Sequence, residues 1–290
     1  MKYFLSVFLI VGSILFSNLI AKSAFPARGF AKVLSDQEAF NRLNSYRSFL
    51  SRDLNQSGFH QGYAFRFKFR HMPRRGKEFS KTGTIYGLAL GHSTSRLDLN
   101  PSDGNYSEKN YLFHAHDQPR AWVLDKVNSK PRKLTNTELF NPIVDGMNHT
   151  PIDILMPFVF WESEYIKSGK VAGRPSHIYS FNPPNWVKKL NSDSYKISMA
   201  LDANYQAPLR IETFLNGISP RKTLILKSLK KISDQWVVKS IDCRENINRS
   251  NTRFEVTSVA LNLDLDKTFL TPEGLFNVPV ISEELFISTM

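Results

Sequence analysis

The sequence predicts a mainly β chain with short helices (α+β), its strands laid into one antiparallel sheet. Three observations predict it. Residues 195–268 alternate apolar and polar side chains in runs separated by legible turns, the period of half-buried strands. Tyr63, Phe65, Phe67 and Phe69 alternate with Ala64, Arg66, Lys68 and Arg70, a strand with one wholly aromatic face. Strands do not alternate with long helices, which argues against a parallel nucleotide-binding fold.

The chain opens on an export signal. Lys2 gives a basic start, residues 4–16 an apolar run, and Ala21-Lys22-Ser23 places small residues where a signal peptidase reads. The alternative, a membrane anchor reaching Ile20, is weakened by Ser6, Gly12, Ser13, Ser17 and Asn18. Cleavage is expected near Ser23 or Ala21. After Ser23 it removes Lys2 and Lys22 and lowers the formal charge from +12 to +10.

Residues 36–50 follow as an amphipathic helix. Ser35 and Glu38 form a capping box, and Phe40, Leu43, Tyr46 and Leu50 share a stripe. Strands are expected at 63–70, 82–90, 111–116 and 120–125, with Asp103-Gly104-Asn105 as a loop and Asp117-Gln118-Pro119 as a turn. The pattern breaks between 134 and 170. Thr150-Pro151-Ile152-Asp153 is a helix start. Residues 154–161 are apolar nearly all round, and Pro157 limits them to one or two short helical turns that must be covered on every side.

His177, Tyr179 and Phe181 resume the strands. Tyr195, Ile197, Met199 and Leu201 form the next, and Leu209 with Ile211 another. Asn216-Gly217 marks a hairpin, and 224–232, 236–243 and 253–263 complete the ladder. The tail is an added strand or short helix on the sheet edge. The order is helix, four strands, two or three short helices, then five or six strands, and short links make neighbours antiparallel.

Composition narrows function. Cys243 is the single cysteine, so stability must come from a core rather than a disulfide. It shares a strand face with Val237 and Ile241 and reads as a small buried apolar residue. Basic residues are dispersed. The one short block, Arg74-Arg75-Gly76-Lys77, either attracts anionic lipid head groups or acidic partners or is a solvated hairpin tip. Nucleic acid is not an expected partner for an exported chain without a recognition motif.

Several phrases resemble the outer-membrane lipoprotein-sorting family, the LolA/LolB type of periplasmic lipoprotein carriers and their receptors. They are Asp153-Ile-Leu-Met-Pro-Phe-Val-Phe-Trp161, Gly173-Arg174-Pro175, Lys231-Ile-Ser-Asp-Gln-Trp236 with Val238-Lys239, Leu263-Asp264-Leu265, and Phe269-Leu-Thr-Pro-Glu-Gly-Leu275. The match covers roughly residues 59–275 and points to an uncharacterised branch of the family. The resemblance implies a curved, incomplete antiparallel barrel with a helical lid over residues 24–275, residues 276–290 as an extension, and a periplasmic location. In family carriers the cavity between sheet and lid receives lipoprotein acyl chains. The carriers' functional arginine matches no position here.

An acyl chain needs a long apolar trough and no catalytic group, since burial returns about 0.8 kcal/mol per methylene. Tyr63, Phe65, Phe67 and Phe69 offer one wall, with Ile197 and Met199 facing it. Met156, Phe158, Phe160 and Trp161 offer a lid. The competing reading makes the same face ordinary core. The expected function is a non-enzymatic carrier binding an acylated lipoprotein or lipid, touching anionic membrane surfaces transiently and needing no cofactor. The alternative is an envelope scaffold or protein-interaction domain with a filled core.

Other constellations carry less. His114 and His116 lack a third ligand at metal spacing. Gly91-His92-Ser93-Thr94-Ser95 lacks the closing glycine of a nucleophile elbow. Glu162 with Glu164, and Asp264 with Asp266, suit solvated or capping roles. Arg174 is either a head-group or lid contact or a surface turn residue.

Overall fold

The computed structural model describes residues 31–51, 61–91, 93–100, 109–125, 130–191, 195–205, 207–215, 217–233 and 235–290. The export signal, the 103–105 loop and His92 lie outside them. Helix α1 (Asp36–Leu50) has the expected capping box: the Glu38 carboxylate accepts from Ser35 N at 2.8 Å. Six strands follow: β1 (Gly62–Met72), β2 (Phe79–Gly87), β3 (Thr94–Leu99), β4 (Lys109–His114), β5 (Arg120–Asp125) and β6 (Arg132–Lys133). A crossing segment, residues 134–161, holds α2 (Pro151–Leu155) and 3-10 turns at Glu138–Phe140 and Pro157–Phe160. Then come β7 (Glu162–Val171), β8 (Arg174–Asn182), α3 (Asn185–Leu190), β9 (Lys196–Asp202), β10 (Pro208–Phe214), β11 (Lys222–Ile232), β12 (Gln235–Glu245) and β13 (Ser250–Leu263). The tail ends in β14 (Ile287–Ser288).

Among the described residues these strands form one 14-stranded antiparallel sheet. Its order is β6-β5-β4-β3-β2-β1-β13-β12-β11-β10-β9-β8-β7. Each half is a meander, and β1 pairing with β13 joins the halves at the centre. Register shifts at Arg66/Phe67 in β1 and at Leu226/Ser228 in β11 bend the sheet, as bulges do. The sheet does not close. It is the open, curved half-barrel that the resemblance implied, with β6 and β7 as its free edges.

Several elements differ from expectation. β3 and β6 were not expected; β3 lies in a stretch whose alternation (Arg96, Asp98 between Leu97 and Leu99) is buried on both faces. β7 falls in the stretch where the strand pattern seemed to break. As an edge strand it buries little, so polar residues dominate it. Tail strand β14 pairs with β13 at Ser258 and Val259, beyond the stretch where β12 pairs with β13. β14 is thus an added strand, on a free stretch of β13 rather than at β6 or β7, and the rest of the tail lies over Arg96, Asn110 and Tyr86 on the face opposite the lid.

Candidate functional site

The chain between the free edges β6 and β7 crosses the sheet on the face that carries Phe67, Phe69, Leu97, Leu99 and Tyr111. Residues 134–161 are that lid. Its underside is apolar by sequence: Leu139, Ile143, Met147, Ile152 and Leu155 pack on Phe67, Phe69, Leu97, Leu99, Tyr111, Phe113 and Val123 of the sheet. Farther along, Phe158, Val159 and Trp161 pack on Tyr179, Phe181, Ile197 and Met199, with Leu43 and Tyr46 of α1 in the same cluster. The two clusters meet at half-buried Phe140 and Trp186.

Polar contacts fix the lid at several places. Tyr111 Oη donates to the Ile143 carbonyl at 3.1 Å. Asn148 donates to the Cys243 carbonyl at 2.8 Å and accepts from Ser250 Oγ at 3.0 Å. Asp153 caps α2 through Thr150, as expected, and takes Lys222 Nζ at 2.9 Å. Burial opposes the Lys222 charge, but the Asp153 carboxylate outweighs it and holds the ammonium above its usual pKa. Arg47 of α1 donates to the Val159 and Trp161 carbonyls at 2.7 and 2.8 Å. Met156, between α2 and the next turn, sits in the left-handed region at φ 43°, a costly conformation for a side chain other than glycine.

Nine of the ten residues proposed as an acyl-chain wall fall into three neighbouring clusters. Phe67 and Phe69 lie under the lid. Phe158, Trp161, Ile197 and Met199 share the cluster with α1, and half-buried Met156 packs against it. Tyr63 and Phe65 instead meet Leu90, Ile232, Val237, Val256 and Val259. Phe160 stands apart, its ring stacked on His116 at 6.1 Å. Two rings lie across glycines of the neighbouring strand. A Cβ on Gly83 would come within 2.6 Å of the Phe67 ring, and one on Gly87 within 2.5 Å of Tyr63. With the lid in place, eight of the ten are buried, and none lines the two pockets described below, of about 770 and 800 Å³.

One of those pockets, of about 770 Å³, opens where the hairpin tips of β1–β2, β10–β11 and β12–β13 meet the lid. Its floor is Phe140, Met147, Ile152 and Leu215, and its rim holds Arg74, Arg75, Arg221 and Lys222. Nearby, both ring nitrogens of buried His149 lack a hydrogen-bond partner, and burial pushes its pKa down to about 4. The second, of about 800 Å³, includes His114 and His116. Among the described residues no three His, Cys, Asp or Glu side chains group as a metal site.

Sequence reasoning missed Arg47 and Asn148. Arg47 stands one helical turn after Leu43 of the buried stripe, a placement that signals a polar contact at a covered face. Asn148 precedes the Thr150 cap and carries no pattern of its own. Arg174 proves to be a β8 residue paired with buried Asp202 and lying over Tyr205 at 5.0 Å. Asp266 caps a 3-10 turn through Thr268 N at 2.8 Å. Glu162 and Glu164 are exposed on β7, and Cys243 is buried.

No protein-family model matches the sequence, and no curated protein does. Solved structures do match. One is a domain assigned to outer membrane lipoprotein sorting from Vibrio parahaemolyticus: 12% identity, TM-score 0.66, covering 82% of this chain and 98% of that one. A DUF1329 family protein from Desulfovibrio piger gives 15%, 0.65, 82% and 98%. A LolA superfamily protein from Nitrosomonas europaea gives 12%, 0.58, 80% and 97%. At these identities the likeness is one of fold: the chain has the half-barrel architecture of lipoprotein-sorting proteins.

Proposed function

We propose that this protein is a periplasmic, non-enzymatic carrier that takes the acyl chain of a lipoprotein or lipid between its sheet and its lid. Periplasmic residence rests on the export signal, residues 1–23, ahead of a carrier domain at 24–275. A role in outer-membrane lipoprotein sorting is supported by the likeness of fold to a domain of that assignment. The single observation that carries the reading is topological. The one segment bridging the two free sheet edges has an apolar underside from Leu139 to Trp161.

Apolar contacts are non-directional, so a hydrocarbon chain can replace them when the lid lifts. A chain of a dozen methylenes regains about 10 kcal/mol by burial, which offsets part of the apolar contact the lid gives up. Met147, Met156 and Met199 supply adaptable surface. The wall of the opened trough would be Tyr63, Phe65, Phe67, Phe69, Ile197 and Met199, with Met156, Phe158, Phe160 and Trp161 on the cover. Nothing in this reading calls for a catalytic group.

A second reading, an envelope scaffold or protein-interaction domain, is favoured by the filled interior and by the unpaired outer edge of β7. Titration with a fluorescent fatty acid separates the two. A carrier binds it, and Phe67→Asp abolishes binding while circular dichroism is retained. A scaffold shows no binding, and there Phe67→Asp unfolds the chain. Intact folding with unchanged binding removes Phe67 from the site.

A further inference from the structure

We infer that the pocket at the lid's edge is a head-group site for an anionic amphiphile, one bearing a phosphate or carboxylate; this rests on the carrier reading and narrows its cargo. The volume, about 770 Å³, lies within the range of small-molecule sites. Its two parts differ in chemistry. The floor residues Met147 and Ile152 belong to the apolar cluster beneath the lid, and Leu215 packs against the neighbouring one. A chain threaded under the lid can therefore leave its polar end in this pocket without crossing a polar barrier.

The rim decides the sign of that polar end. Four cations line the pocket, Arg74, Arg75, Arg221 and Lys222, against two carboxylates, Asp153 and Glu245. Lys222 is taken by Asp153 at 2.9 Å and Arg221 by Glu245 at 3.4 Å. Arg74 and Arg75 remain: both are exposed, and among the described residues neither enters an ion pair. Two adjacent guanidinium groups without a carboxylate partner among the described residues repel one another, and an anion in the pocket relieves that repulsion. Guanidinium also presents paired N–H donors that match the oxygens of a phosphate or carboxylate. A solvated hairpin tip needs no such pocket. The pocket's concave shape concentrates the field of the rim.

The test is calorimetric titration of the full chain with dodecyl phosphate, dodecyl maltoside and inorganic phosphate, repeated on Arg74→Gln/Arg75→Gln. Both arginines are exposed, so the double variant keeps its circular dichroism. Dodecyl phosphate is expected to bind at least 10-fold more tightly than the neutral maltoside, and the double variant to cut that advantage below 3-fold. Equal affinity for the two amphiphiles, or an advantage the double variant retains, overturns the head-group site and leaves the carrier reading standing. Inorganic phosphate binding as tightly as dodecyl phosphate, with the same loss in the variant, supports the anion site and assigns it to free phosphate. No binding of any of the three overturns the site and the carrier reading together.

Discussion

The sheet is covered on both faces, and the two covers are fastened differently. On the convex face the tail is held by Arg96, whose side chain is 0% exposed. Its guanidinium donates to Asp98 at 2.7 Å and to the Gly274 and Asn277 carbonyls at 2.8 and 2.6 Å. Asn110 adds a bond to the Leu275 carbonyl at 2.9 Å. Lifting the tail would strip a buried ion pair of the carbonyls that complete its bonding. On the concave face the lid is held by apolar packing, by the buried amide of Asn148, and by two cations nearer to water, Lys222 at the rim of an open pocket and Arg47 at the edge of α1. Water can take over the Lys222 and Arg47 contacts. On the carrier reading the lid is the cover that separates, while the tail stays with the fold.

The largest expected effect breaks the convex side. Arg96→Ala leaves the Asp98 carboxylate buried and alone, and should cost about 3–5 kcal/mol in urea unfolding or prevent folding. Arg96→Met/Asp98→Leu should recover most of that loss. Acid is expected to act on the concave side first. Burial lowers the pKa of lid residue His149 to about 4, so the folded chain stays unprotonated there while the unfolded chain takes a proton below about 6.5. The unfolded state binds more protons in that window, so stability falls as pH drops from about 6.5 to about 4, by about 3 kcal/mol for this group. His177, lowered to about 4 by burial and then by nearby Arg42, adds to the same slope. His149→Phe should remove its share of the slope. Hydrogen exchange near pH 5 should quicken in the lid before it quickens in the tail, which carries no histidine.

Smaller changes sharpen the contrast. Arg47→Ala frees two carbonyls and should cost about 1–3 kcal/mol, with faster exchange at the amides of Val159 and Trp161 and faster fatty-acid uptake. Thr150→Ala removes half of the α2 capping box and should cost about 1 kcal/mol, again confined to the lid. If Arg47→Ala loosens the tail as much as the lid, the two covers are one cooperative unit.

Much of this was legible in the sequence because local rules sufficed. α1 announces itself by its capping box, but its buried stripe is Ala39, Leu43, Tyr46 and Phe49, and the expected Phe40 is exposed; α2 is announced by Thr150-Pro151 and Asp153, and the long interior strands by alternation. The resemblance supplied the half-barrel, which alternation alone does not distinguish from a flat sheet. β7 was not legible, because an edge strand has one unpaired side and little to bury. β3 was not legible either, because Arg96 and Asp98 look like solvent-facing residues until the tail covers them. The pocket was half legible. Arg74 and Arg75 stood out as a basic block, but Arg221 and Lys222 join them only through the meeting of three hairpin tips with the lid. Nor does a sequence show how tightly the Phe67 and Met199 faces are packed, since volume depends on every neighbour at once.

The most direct measurement is mass spectrometry of the organic-solvent extract from protein purified out of its native envelope. A separable lid over an acyl-chain site predicts lipid or lipoprotein acyl species near one per protein, lost in Phe67→Asp. An extract without acyl species, from protein that is folded and intact, would contradict it.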